Sequence, residues 1–329
     1  MRPHDEDRLL AWLRRRAGPG RPLIGDDAAL IELHGGVALT VDTQIEGVHY
    51  LPGLDPALMA ARLLAVNLSD LAACGAEPAY ALLALAAPPG FDHQRFFRSL
   101  LAACRHHGVR LAGGDLARSA PTTAALTLVG RRRRGGRFLR RNAARPGDLL
   151  WLGGTVGESA AGRFVLALGG APGVHAPVPG SIRAAAARAA ARRAIRRHLA
   201  PQPQLELGAW LAHRRRASAI DLSDGLARDL HRLCRESGVG AEIDAERLPL
   251  APGFTEICAA LGREPLALAL GGGEDYVLLF ALPAGVRPPR RLGCTPIGRI
   301  TARRAVVLIE GSTRRALPPM GWDHLAGQG

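Results

Sequence analysis

Short apolar runs of strand length alternate along this chain with amphipathic stretches of helical length, which predicts an α/β (α+β) fold. The 329 residues exceed one ordinary hydrophobic core and predict two domains of roughly 150 residues each. The stretch Ala144-Arg145-Pro146-Gly147-Asp148 offers a boundary, giving an expected division into residues 1–145 and 146–329. No run approaches the ~20 uninterrupted apolar residues of a membrane span. The opening Met-Arg-Pro-His-Asp-Glu-Asp lacks an apolar signal-peptide core, so a cytoplasmic location is expected.

The first element is a strand over 37–41, read from its alternation, with Asp42 closing it. Before it stand Gly25-Asp26-Asp27, which a turn alone would explain. Asp55-Pro56 opens a helix that runs to Cys74 and stops at Gly75, with Asn67 and Asp70 on one face of an otherwise apolar stretch. Asp70 could cap a neighbouring loop or serve a ligand; an uncompensated buried carboxylate is costly. The apolar run 80–87 predicts a central strand, 91–107 a helix ended by Gly108, and 109–112 a strand that delivers Gly113-Gly114-Asp115. There two glycines would let a phosphate approach the backbone. A hairpin is expected between 122–129 and 137–139, turning at Gly135-Gly136.

In the second half, Leu149–Leu152 reads as a strand, followed by a glycine-rich turn and a helix through Leu168. A Gly/Pro loop covers 169–181, and an Ala/Arg helix with a solvated face covers 183–199. Ala219-Ile220-Asp221-Leu222-Ser223-Asp224-Gly225 predicts a strand breaking into a helix whose buried face carries Leu226, Leu230 and Leu233. Ser223 is its expected N-cap, where the amides of a helix start suit a phosphate. Gly271-Gly272-Gly273-Glu274-Asp275-Tyr276 then opens an apolar strand at 277–282, the glycines making room for a ligand.

The acids recur in one kind of place, beside Gly or Ser at the end of an apolar segment. Asp26, Asp27, Asp42, Asp70, Asp115, Asp221, Asp224 and the pair Glu274-Asp275 together suit Mg²⁺, a hard cation held by a few carboxylates and by substrate phosphates. The five cysteines are scattered singly, without zinc or disulfide spacing. A net charge of +14 and the runs Arg131 to Arg134 and Arg214 to Arg216 raise an RNA-binding alternative. Against it, every basic residue is Arg and aromatic residues make up only 4%, leaving few stacking platforms, so no nucleic-acid partner is expected. The absence of lysine also excludes a Gly-x-x-x-x-Gly-Lys phosphate loop.

From Gly25 to His324 the sequence resembles the ATP-dependent thiamine-monophosphate kinases. The resemblance rests on Ile-Gly-Asp-Asp-Ala-Ala at 24–29, Asp-Thr-Gln-Ile-Glu-Gly-Val-His at 42–49, Val-Asn-Leu-Ser-Asp-Leu-Ala-Ala at 66–73 and Gly-Gly-Asp at 113–115. Further on it rests on Ala-Ile-Asp-Leu-Ser-Asp-Gly-Leu at 219–226, Gly-Gly-Glu-Asp-Tyr at 272–276 and Gly-Trp-Asp-His at 321–324. It implies a homodimer paired through the N-terminal sheet, with ATP between the two domains, several Mg²⁺ ions, and thiamine monophosphate as acceptor in the last step of thiamine diphosphate biosynthesis. It also implies roles. Asp27, Thr40, Asp42, Asp70, Asp115, Asp221 and Asp224 match metal positions, with Asp42, Asp70 and Asp115 at the chemistry. Gly114, Asp115, Arg141 and Ser223 match ATP contacts; His49, Glu274 and Trp322 match the acceptor site. Val41, Leu116 and Trp322 depart from the family's frequent Thr, Thr and Tyr.

Related enzymes of the same ATP-binding superfamily are the alternative. Selenophosphate synthetases use an N-terminal Cys and Lys, whereas the first cysteine here is Cys74 and lysine is absent. Hydrogenase-maturation dehydratases end in cysteine, and this sequence closes Leu-Ala-Gly-Gln-Gly. Aminoimidazole ribonucleotide synthetases lack the Gly-Trp-Asp-His ending.

Overall fold

A computed structural model describes residues 12, 15, 16, 35–169, 173 and 176–322, so Asp27 lies outside the described residues. Among the described residues the strands form two sheets. The first has four strands in the order β1-β4-β2-β3, namely β1 (Val37–Ile45), β4 (Thr123–Arg131), β2 (Glu77–Ala87) and β3 (Arg110–Arg118). β4 is antiparallel to both β1 and β2, and β3 runs parallel to β2. Two helices accompany this sheet, α1 (Pro56–Ala73) and α2 (His93–His106).

The second sheet has seven strands in the order β11-β10-β7-β9-β5-β8-β6. They are β5 (Leu149–Leu152), β6 (Ser218–Asp221), β7 (Gly240–Asp244), β8 (Leu278–Leu282), β9 (Thr295–Thr301), β10 (Val306–Glu310) and β11 (Thr313–Ala316). The two sheets belong to a two-domain α/β architecture.

Helix α1 joins the halves. Asp55 accepts a hydrogen bond from the Ala57 amide at 2.8 Å and Pro56 occupies the first turn, the expected start. It has the length and hydropathy of a membrane span, but 67% of it is buried inside the protein. Met59, Leu63, Leu64 and Leu68 are buried in the main core, while Ala72 and Ala73 pack with Trp151 and Leu211 of the second half.

Four local expectations are corrected. β1 continues to Ile45, so Asp42 sits mid-strand and shares a face with Thr40 and Gln44. β3 continues through Gly113-Gly114-Asp115, because pairing with Leu82, Leu83 and Ala84 carries the ladder past the glycines. The hairpin at 137–139 does not form. Both edges of β4 are already paired, and Leu139 turns into the core, its amide donating to the Cys74 carbonyl at 2.9 Å. Ser223 caps no helix: the helix Leu226–Ser237 starts after Gly225 (φ 120°).

Candidate active site

Val37, Leu39 and Val41 of β1 are exposed while the residues between them are not, and period-2 geometry puts Thr40, Asp42 and Gln44 on the wall toward α1. About three and four turns along α1, Asn67 and Asp70 meet that wall. Asn67 Oδ1 accepts from the Asp42 amide at 3.0 Å, and the Thr40 hydroxyl donates to Asp70. β6 is an edge strand and ends at Asp221, which accepts from the Ser69 hydroxyl at 2.8 Å. The turn after β6 adds Ser223 and Asp224.

These elements enclose a cavity of about 390 Å³ lined by Asp42, Gln44, His49, Asp70, Arg163, Asp221, Ser223, Asp224, Glu274, Tyr276 and Trp322. A second cavity, of about 560 Å³, is lined by Leu39, Thr40, Asp70, Cys74, Arg140, Arg141 and Glu236 among others. Asp70 belongs to both. Arg141 therefore lies in the second cavity, whereas His49, Glu274 and Trp322 line the first. Gly114 and Asp115 line neither cavity; they sit exposed on the edge strand β3. At Gly114 (φ 154°) a Cβ would lie 1.8 Å from the Leu83 carbonyl oxygen, so strand packing alone requires a glycine there.

Like charges dominate the first cavity. Burial, then repulsion from Asp70 and Asp224, pushes the Asp42 carboxyl up to about 7. Burial and Asp70 lift Asp221 well above the ordinary carboxylate range, against the lowering hydrogen bond from Ser69. Burial also raises Asp70, opposed by the Thr40 hydroxyl and by the charge of Arg141. Such a set of hard oxygens suits Mg²⁺. Among the described residues no three acid, imidazole or thiol groups form a ready-made ion site. The acids are spread along the wall, which suits ions completed by water and substrate phosphates.

The other predicted residues take their places from local geometry. His49 Nδ1 accepts from the Ile45 amide at 3.0 Å, which leaves Nε2 as the protonated nitrogen of the neutral ring. Gly272 and Gly273 make room for protein backbone: a Cβ on Gly273 would meet the Ser223 carbonyl at 2.8 Å. Trp322 lies in a loop, as its prolines and glycine predict, and its amide donates to the Asp224 carbonyl at 2.9 Å.

Sequence reasoning missed the residues that hold the acids. Arg232 bridges Asp224 and Asp229 at 2.5 and 2.7 Å, and Asp229 Oδ2 accepts from the Asp224 amide at 3.1 Å. Gln44, Arg163 and Tyr276 line the first cavity and Ser69 holds Asp221, none of them marked by a local signal of its own; Arg62, a charge within an apolar helical stretch and fully buried, is a local signal of a buried polar network.

Residues 25–131, which include all of the four-stranded sheet, match the family described as AIR synthase related protein, N-terminal domain. The thiamine-monophosphate kinase of Escherichia coli (strain K12) is 37% identical over 315 residues, covering 92% of this chain and 91% of its own length. That of Salmonella typhimurium is 39% identical over 264 residues, covering 79% and 76%.

The chain belongs to the thiamine-monophosphate kinase family.

The solved structure of AaThiL complexed with AMPPCP and TMP superposes with a TM-score of 0.77 at 30% identity, covering 99% of each chain. As a kinase-family member the protein departs at Val41, but that side chain is 60% exposed on the outward face of β1. A hydroxyl there would point away from the first cavity, so the departure removes no side-chain ligand from it. Leu116 packs against the main core.

Proposed function

We propose that this protein transfers the γ-phosphoryl group of ATP to the phosphate of thiamine monophosphate, giving thiamine diphosphate. One observation carries the reading beyond family membership: Asp70 is shared by two cavities, one with Arg140 and Arg141 and one with Glu274 and Trp322. ATP takes the cavity of Arg140 and Arg141, with Ser223 reaching its phosphates from the other side, and the acceptor takes the cavity of His49, Glu274 and Trp322. The reacting phosphates then meet at Asp70. Thr40, Asp42, Asp70, Asp221 and Asp224 would hold Mg²⁺, which supplies charge cancellation and a template between two anions. Asp27, Asp115 and Gly114 join this set on the family pattern alone.

The acceptor phosphate has a second pKa of ~6 and is mostly ionised at neutral pH. Its oxygen attacks the γ-phosphorus as the bond to the ADP bridging oxygen breaks, with no proton to remove. The side chains align the two groups and offset their repulsion; no phosphoenzyme is needed.

We also propose a domain boundary at 145/146, a cytoplasmic location and a homodimer. The dimer reading is supported by the outward face of the four-stranded sheet, where Val37, Leu39, Val41 and Leu82 are exposed. Val41 and Leu82 flank Thr127 on the paired strands, so the patch is continuous across the sheet.

The test is ATP consumption with thiamine monophosphate, thiamine and formylglycinamidine ribonucleotide side by side. Turnover with the first alone is expected. Robust phosphorylation of thiamine, whose hydroxyl would need a base, would overturn the mechanism.

A further inference from the structure

Among the described residues Arg62 is the largest side chain fully withdrawn from water. A buried guanidinium has five N–H groups to satisfy and a charge to offset. Arg62 draws its partners from three separate elements. Its Nε donates to Gln44 Oε1 on β1 at 3.0 Å, one terminal nitrogen donates to the backbone carbonyl of His198, and the other pairs with the Glu274 carboxylate. The second Glu274 oxygen lies 3.4 Å from His198 Nδ1, which is also 3.2 Å from the Ser159 hydroxyl. The guanidinium carbon is 6.0 Å from the centre of the Tyr276 ring.

The loop it grips needs holding. Glu274 (φ 57°) and Tyr276 (φ 48°) both adopt left-handed backbone, which residues with a Cβ rarely occupy unless their surroundings enforce it. Burial acts to raise the Glu274 carboxyl, yet Arg62 first, then His198, Arg163 and His49, hold it below the usual range. Glu274 lines the first cavity while Arg62 does not. Arg62 also lies on α1, the helix that carries Asp70.

We propose that Arg62 is a positioning residue for the acceptor: its fork fixes Glu274 against the cavity and sets it in register with Asp70. Glu274 thereby presents a fixed negative charge to a cationic organic acceptor, and the contact between α1 and the second domain controls acceptor affinity. The inference rests on the reading of this cavity as the thiamine monophosphate site.

Steady-state kinetics on Arg62→Met, Arg62→Lys, Glu274→Gln and the double variant Arg62→Met/Glu274→Gln provide the test. Wild-type turnover of thiamine monophosphate comes first, and its failure would defeat the functional reading on which the inference rests. With an active wild type, Arg62→Met is expected to raise KM for thiamine monophosphate about 10-fold or more and leave KM for ATP within about 2-fold. Arg62→Lys, which restores charge without the fork, falls between. In the Glu274→Gln background Arg62→Met should add less than about 3-fold, because residues acting through one another are not additive. Equal rises in both KM values, or a full multiplicative effect in the Glu274→Gln background, would overturn the proposal. If Arg62→Met does not fold, the same comparison of KM values in Arg62→Lys decides it.

Discussion

Ser69 donates its hydroxyl hydrogen to the buried carboxylate of Asp221 at 2.8 Å, across 152 positions of sequence. The bond runs from α1 to the edge strand of the second sheet, and it favours the ionised form of an acid that burial and Asp70 push toward protonation. Ser69→Ala is therefore expected to cost about 1 kcal/mol of stability and to raise the Mg²⁺ concentration needed for half-maximal activity. Thermal melts and Mg²⁺ titrations of kcat check both; an unchanged Mg²⁺ requirement would make the bond purely structural.

Asp42 and Asp70 are expected to bridge ions between the two phosphates. Replacing either with Asn keeps shape and removes charge, so kcat should fall about 10²-fold or more, on the order of 3 kcal/mol. Unchanged kcat at low Mg²⁺ in both variants would count against the assignment.

The same acid makes a pH prediction with a definite sign. Burial, Asp70 and Asp224 raise Asp42 from 3.8 to about 7. A carboxyl with a raised folded pKa gives its full stability below its unfolded pKa and loses it as pH rises through the folded value. Without divalent metal the protein should thus become less stable between about pH 4 and 7, and Asp42→Asn should melt higher than wild type at pH 8. Added Mg²⁺ should narrow that gap. Identical melting curves for the two proteins at pH 8 would show that the charge carries no cost.

Leu39 is 70% exposed on a strand whose Thr40, Asp42 and Gln44 face inward. Leu39→Glu should leave a folded species of 34.7 kDa, whereas the wild type should sediment at twice that mass at micromolar concentration. A wild-type monomer would remove the dimer reading.

Trp322 can be an anchor for the chain or an aromatic face for the acceptor. Its amide already ties the backbone to Asp224, and the Gly321 position, where a Cβ would lie 2.2 Å from the Asp224 carbonyl oxygen, fixes the approach. Trp322→Ala keeps that tie, so the melting temperature should hold while KM for thiamine monophosphate rises about 5- to 30-fold, for roughly 1–2 kcal/mol of stacking and cation–π attraction. Trp322→Tyr should behave like wild type. A lower melting temperature with both substrates weakened alike would make Trp322 a structural anchor.

By itself the sequence determined the alternation of strands and helices, the capped start of α1, the strand Leu149–Leu152, and the acids Asp42, Asp70, Asp221 and Asp224 that gather at one cavity. These follow from local rules: period 2 or 3.6, a capping Asp before a Pro, a carboxylate set among apolar residues. Tertiary structure alone decided that α1 packs against the edge of a second sheet, so that Ser69 meets Asp221 and Arg62 meets Glu274 across 212 positions. It also decided that Gly114 and Asp115 lie outside both cavities, and that 137–139 enters the core instead of pairing. No local pattern encodes these outcomes, because a hydrogen-bonding partner for a buried group is chosen by whichever element packs over it, and that depends on the burial of the whole chain.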